Sequence, residues 1–186
     1  MKSADIKKIR KKMEKTLDSA RFEHTLGVTY TAACLAMRYD ADITKAQIAG
    51  LLHDCAKCLT NEKRIFLCKK HNIQMNEAEL KNPQLLHAKV GSFLAMEEFD
   101  IHDQDIINAI LNHTTGRPDM SLLEKIIYIA DYMEPGRKQA PNLSAIRKAA
   151  FEDLDKALLM ILEDTLSYLH STGTVSYTHL TLPTIA

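Results

Sequence analysis

Four histidines and two aspartates stand out as side chains that could do chemistry together: His24, the adjacent pair His53-Asp54, His87, His113 and Asp131. The pair follows the apolar stretch Ala49-Gly50-Leu51-Leu52, and Asp131 follows Ile126-Ile127-Tyr128-Ile129-Ala130. A carboxylate or imidazole buried in such surroundings is unfavourable unless it is hydrogen-bonded or held by a charge of opposite sign. Mixed imidazole and carboxylate donors suit iron, manganese or zinc, with no need of thiolates. Neighbouring helix residues project about 100° apart, so His53 and Asp54 reach one ion only as two arms of a site completed by other helices. Six donors exceed one tetrahedral site. If Asp54 bridges, His24, His53 and Asp131 hold one ion while His87 and His113 hold a second. Two divalent ions so arranged would activate a bridging hydroxide and neutralise phosphate charge, chemistry suited to in-line cleavage of a phosphoester or phosphoanhydride. Lys57, one helical turn after His53, and Arg137, just beyond the Asp131 helix, are placed to meet phosphate oxygens, with ordinary surface charge as the alternative.

Glycines accompany the histidines. Gly27 follows His24 by three residues, Gly50 precedes His53 by three, Gly91 follows His87 by four and Gly116 follows His113 by three. Such spacings share a helix face, and glycine inside a helix costs about 1 kcal/mol against alanine. Its use there predicts close approach of another helix or a ligand. Gly116, past a helix end, is equally read as a cap.

The elements that must position these residues are helices. Glycine and proline are scarce, at 6 and 5 residues, and apolar residues recur every three or four positions, which predicts an all-α bundle without strands. The expected helices run from Ser3 to about Leu17, from Asp18-Ser19 to about Tyr39, from a capping box at Thr44 through His53-Asp54, and from Thr60 to His71-Asn72. A short helix and loop fill 74–83. Further helices span Leu86 to Phe99, His102 to Thr115 with its end at His113, Ser121 to about Met133, and one long helix from Ser144 to about Ser171. Residues 1–171 read as one domain. Residues 172–186, Thr-rich and almost uncharged, read as an appended non-native or disordered tail.

The 24 basic residues balance the 24 acidic ones, which gives no general attraction to nucleic acid or anionic membrane. No apolar run approaches the roughly 20 residues of a membrane span, and the start lacks a signal-peptide core, so a cytoplasmic protein is expected. Four cysteines fit a reducing compartment, and Cys55-x-x-Cys58 lacks the context of a redox or zinc pair. His71, His102, His170 and His179 read as solvated.

At the residues that carry chemistry, the sequence resembles the YqeK family of HD-domain phosphohydrolases. The signature H…HD…D is met by His24, His53-Asp54 and Asp131. More specific are Arg21-Phe22-Glu23-His24-Thr25-Leu26-Gly27-Val28, Gly50-Leu51-Leu52-His53-Asp54-Cys55-Ala56-Lys57, His87-Ala88-Lys89-Val90-Gly91, His113-Thr114-Thr115-Gly116 and the run from Leu123 to Arg137. The resemblance implies an all-α HD fold, two divalent ions (iron, with manganese as the alternative), and symmetrical hydrolysis of diadenosine tetraphosphate to two ADP by a cytoplasmic homodimer. It implies His24, His53, Asp54, His87, His113 and Asp131 as metal ligands, Asp54 and Lys57 as catalytic residues, and Arg21, Lys57, Thr114, Thr115, Gly116 and Arg137 as substrate contacts. Lys138-Gln139-Ala140-Pro141-Asn142 departs from the Phe-Pro-Gly type of loop expected after Arg137. Alternatives are a deoxynucleotide 5′-phosphatase, a guanosine-alarmone hydrolase, or a catalytically silent nucleotide-sensing HD module.

Overall fold

Short polar side chains set most of the helix starts. Asp18, Asp42, Thr60, Asn76, Asp103 and Ser121 each accept a hydrogen bond from a backbone N–H in the first turn of the helix that follows. Each such cap contributes about 1 kcal/mol. The computed structural model describes residues 3–171; the segment read as an appended tail, with His179, lies outside the described residues. The helices are α1 (Ser3–Thr16), α2 (Ser19–Arg38), α3 (Ile43–Leu52), α4 (Asn61–Lys70), α5 (Glu77–Lys81), a 3-10 turn (Pro83–Leu85), α6 (Leu86–Phe99), α7 (Gln104–Asn112), α8 (Leu122–Met133), α9 (Leu143–Glu152) and α10 (Leu154–Ser171). The all-α expectation holds. Among the described residues no helix is long and apolar enough to cross a membrane.

Glycine is scarce partly because other residues make the tight reversals. Asp40, Asn72, Asp100, Asp119 and Asn142 all adopt a left-handed backbone, with φ between 53° and 55°. Asparagine and aspartate tolerate that region better than other side chains.

The centre of the bundle is the packing of α3 against α2, with α1, α7 and α8 around α3. Ala32, Leu35, Ala36, Ile48, Leu51, Leu52, Ile110, Ile126 and Ile129 fill it and are fully buried. A Cβ at Gly50 would stand 2.8 Å from Thr29 Cα, so glycine is what lets the backbones of α2 and α3 come this close. The close approach expected at Gly50 is therefore that of a helix. α6 packs on α7, and α9 and α10 cover α8, while α4 rests on α6.

Three local expectations change. The helix holding His53 starts at Asp42, whose carboxylate accepts from Lys45 N at 2.9 Å, and not with a box at Thr44. It also ends at Leu52, so His53-Asp54 stands at the helix C-terminus and Lys57 follows in turns rather than on a continuing helix face. The long helix from Ser144 breaks at Asp153, which is extended (φ −149°, ψ 107°) and caps α10 by accepting from Lys156 N at 3.0 Å. The break escapes notice in the sequence because Ala150, Leu154 and Leu158 stay buried across it and preserve the apolar period.

Candidate metal centre

Helix ends deliver most of the polar centre. His53 lies at the end of α3, His87 in the first turn of α6 and His113 at the end of α7. Each donates Nδ1–H to the carbonyl three residues earlier: His53 to Gly50 at 2.7 Å, His87 to Gln84 at 2.6 Å, His113 to Ile110 at 2.7 Å. A carbonyl can only accept, so the proton is fixed on Nδ1 and the Nε2 lone pair is left pointing inward. His24 comes from the first turns of α2, Asp131 from the last turn of α8.

All six sequence-nominated donors converge. Asp54 is the centre, and its two oxygens face different groups. Oδ2 lies 3.5 Å from His53 Nε2 and 3.9 Å from His24 Nε2, with Arg21 Nη1 at 2.8 Å. Oδ1 lies 3.3 Å from His87 Nε2, 3.6 Å from His113 Nε2 and 3.9 Å from Lys57 Nζ. Asp131 Oδ1 is 3.0 Å from His24 Nε2, 4.0 Å from His53 Nε2 and 2.9 Å from Arg137 Nη2. His24, His53 and Asp131 form one compact donor triad; His53, Asp54 and His113 form another.

The polar groups fit a cation better than they fit one another. His24 Nε2, His53 Nε2 and Asp54 Oδ1 are buried with no hydrogen-bond partner among the described residues. The Nε2 atoms of His87 and His113 face each other at 3.1 Å. Two lone pairs at that distance repel unless a donor or cation serves them, and Lys57 Nζ (3.2 Å from His87) and Thr114 Oγ1 (3.1 and 3.0 Å from the two rings) do so here. Burial pushes the His53 imidazole down to about 4 and lowers His87 as well, which keeps both rings neutral and able to ligate. Burial also opposes charge on His24, but Asp131 and Glu134 outweigh it and raise its pKa. A divalent ion would take the place of that proton. For Asp54 and Asp131 burial favours the acid form, yet the surrounding histidines reverse this and hold both below the usual carboxylate range. The set fits divalent cations on oxygen and imidazole donors.

The profile of the HD domain family matches residues 21–136, a span that includes all six donors. The chain belongs to that family. Within it, the chain is 41% identical over 157 residues to a protein of Bacillus subtilis named bis(5′-nucleosyl)-tetraphosphatase, symmetrical, covering 84% of this chain and 83% of the relative. It is 43% identical to the protein of the same name from Halalkalibacterium halodurans, over 82% and 81% of the two chains. A crystal structure described as a predicted HD superfamily hydrolase involved in NAD metabolism from Clostridium acetobutylicum superposes with a TM-score of 0.87 at 48% identity, covering 93% of this chain and 90% of that one. The likeness to the tetraphosphatases bears out the YqeK resemblance.

Beside the HD centre lies a cavity of about 500 Å³, within the usual range for small-molecule sites. Lys57, Thr114 and Arg137 line it together with His113, Asp131, Tyr128 and Tyr132. Lys57 arrives there through its turn, whose carbonyls at Ala56 and Lys57 accept from the buried Arg64 guanidinium. Burial lowers the Lys57 pKa despite Asp54 and Asp131. Arg21 touches Asp54 from the α2 side. Thr115 and Gly116 do not line this cavity. Gly116 has φ +65° and donates to Asn112 O at 2.8 Å, so its place is the turn that ends α7.

Two further carboxylates are buried: Glu124, which the capping-box spacing from Ser121 announces, and Glu134, which sequence reasoning passed over. Glu124 is held by Arg117, Asn112 and Ser121 N, and so ties α8 to the turn after His113. Glu134 accepts from His24 Nδ1 at 3.1 Å and from Gly136 N. The signal for Glu134 was Gly27: a Cβ there would lie 2.5 Å from Glu134 Oε2. The four cysteines are free, Cys55 and Cys68 buried and Cys34 and Cys58 exposed. His71, His102 and His170 are exposed.

Proposed function

We propose that the protein hydrolyses diadenosine tetraphosphate symmetrically to two ADP, with His24, His53, Asp54, His87, His113 and Asp131 holding two divalent cations. The observation that carries the reading is the convergence of four imidazole Nε2 atoms on the two oxygens of Asp54, every Nδ1 being committed elsewhere. The names of the relatives supply the substrate. When bound, the cations supply an activated water and Lewis-acid neutralisation of phosphate charge. Iron is the assignment from the family resemblance, with manganese as the alternative.

The rest is the work of the chain. One water adds to phosphorus, the central P–O–P bridge breaks, and the two ADP leave with release of a proton. Asp54 divides its oxygens between the two donor groups and sets the distance between them. Lys57 and Arg137, both on the cavity wall, stabilise charge on the phosphates, and Arg21 and Thr114 add donors at the rim. Thr115 and Gly116 keep a supporting place in the α7 turn. The working form is a cytoplasmic homodimer, and residues 1–171 are its domain.

Anaerobic purification, metal analysis and a product assay over a panel of nucleotides test this. ADP as the only product, with turnover and bound metal both lost in His53→Ala and Asp54→Ala, is expected. Inorganic phosphate from deoxynucleotides, pyrophosphate from a guanosine alarmone, or full activity in either variant overturns it.

A further inference from the structure

Three of the four inward-facing histidines are oriented by the carbonyl three residues earlier in the chain, but His24 is not. Its Nδ1 meets Glu134, 110 residues away in the chain. Glu134 is only 4% exposed. One oxygen accepts from His24 Nδ1 at 3.1 Å, the other from Gly136 N. A Cβ at Gly27 would stand 2.5 Å from Oε2 and one at Gly136 would stand 2.9 Å from it, so both glycines leave room for the carboxylate. The turn that follows carries Arg137, whose N donates to Glu134 O at 3.0 Å. From the other side, Arg147 of α9 donates to the carbonyls of Met133, Glu134 and Arg137 at 2.9–3.1 Å.

Resting on the metal-centre reading above, we infer that Glu134 is a positioning residue: it holds the His24 proton on Nδ1, so that Nε2 is free to ligate, and locks that ring to the turn presenting Arg137. A carboxylate is required because both neighbours donate. Glutamine has one accepting end. If its oxygen keeps the His24 bond, its NH₂ opposes Gly136 N–H; if it turns over, the NH₂ donates to Nδ1 and the proton moves to Nε2, which removes the ligand lone pair.

The test is calorimetric titration of the metal-free full chain with Mn²⁺, comparing wild type, E134Q, G27A and H24A. E134Q is expected to weaken one of two sites by about 10–100-fold, the effect typical of a lost partner behind a metal-bound histidine, and to leave the other within about threefold. H24A should affect the same site. G27A, which displaces the carboxylate without removing it, should weaken that site too, and it stands in for E134Q should the latter fail to fold. Substrate KM should rise in E134Q, since the Arg137 turn loses an anchor. Unchanged Mn²⁺ affinity in a folded E134Q or G27A overturns the inference, as does an equal loss at both sites with a lowered melting temperature, which would mean general structural damage. If H24A itself binds Mn²⁺ like wild type, the ligand assignment of the proposed function fails first, and the two failures are thereby told apart.

Discussion

The two sides of the HD centre are built differently. His53, His87 and His113 are aimed by bonds that span three residues, so the local turn of the chain settles each ring. His24 is aimed by a group far away in sequence, Glu134, and shares its side of the centre with Asp131, which Arg137 meets from just beyond the end of α8. The first kind of support survives whenever the helix forms. The second exists only once the end of α8 has docked beside α2. Damage on the local side should therefore appear in stability and damage on the docked side in metal affinity.

The largest expected effect comes at the residue both sides share. Asp54→Ala removes both facing oxygens, and turnover should fall by at least about a thousandfold with loss of bound metal, while circular dichroism keeps its helical signal. Next are the two glycines, which separate the sides. Gly50→Ala drives a methyl group against the Thr29 backbone and should cost about 1–3 kcal/mol, seen as a lower denaturation midpoint. Gly27→Ala meets a carboxylate instead of backbone, so its stability loss should be smaller and its metal affinity the more affected.

A smaller effect is expected at Glu124, which fastens the turn after His113. Burial favours its neutral acid form, but Arg117 and the Ser121 N–H prevail and hold its pKa below the ordinary value. A depressed carboxylate stabilises the fold fully above the unfolded pKa, near 4.3, and loses that contribution as pH falls through the folded value. Glu124→Gln should thus lower the melting temperature at pH 7, and the gap from wild type should narrow on acidification from pH 5 to pH 3. The smallest effect is expected at Cys58→Ala, an exposed thiol whose removal should shift stability by less than about 0.5 kcal/mol. In the native protein a soluble alkylating agent should modify Cys34 and Cys58 and spare Cys55, whose thiol burial pushes up to about 12.

Much of this was legible from residue types and spacing. The apolar period and the scarcity of glycine and proline determine an all-α chain, and helix-end positions for His87 and His113 follow from where that period starts and stops. Six donors at five sites, each on a separate helix or at its end, were nominated, and all six meet. Gly50 and Gly27 correctly announced close approaches. The break at Asp153 was not legible, because a polar cap on an exposed face leaves the buried period intact. The early end of α3 was hidden for a related reason: the residues after Leu52 stay buried, and burial, not helicity, is what an apolar run reports.

What the sequence determined by itself is the inventory: which donors exist and which helix, or which end of it, carries each. What only the tertiary structure decided is how they are shared. That Asp54 turns one oxygen to His24 and His53 and the other to His87 and His113 depends on where α2, α6 and α7 stand around α3. That Glu134 orients His24 depends on a contact across 110 residues, for which the sequence offers only a glycine's missing methyl group as a sign. Local hydrogen bonds are written in spacing; long-range ones follow from packing, where a side chain's partner is set by the shapes of all the helices between them.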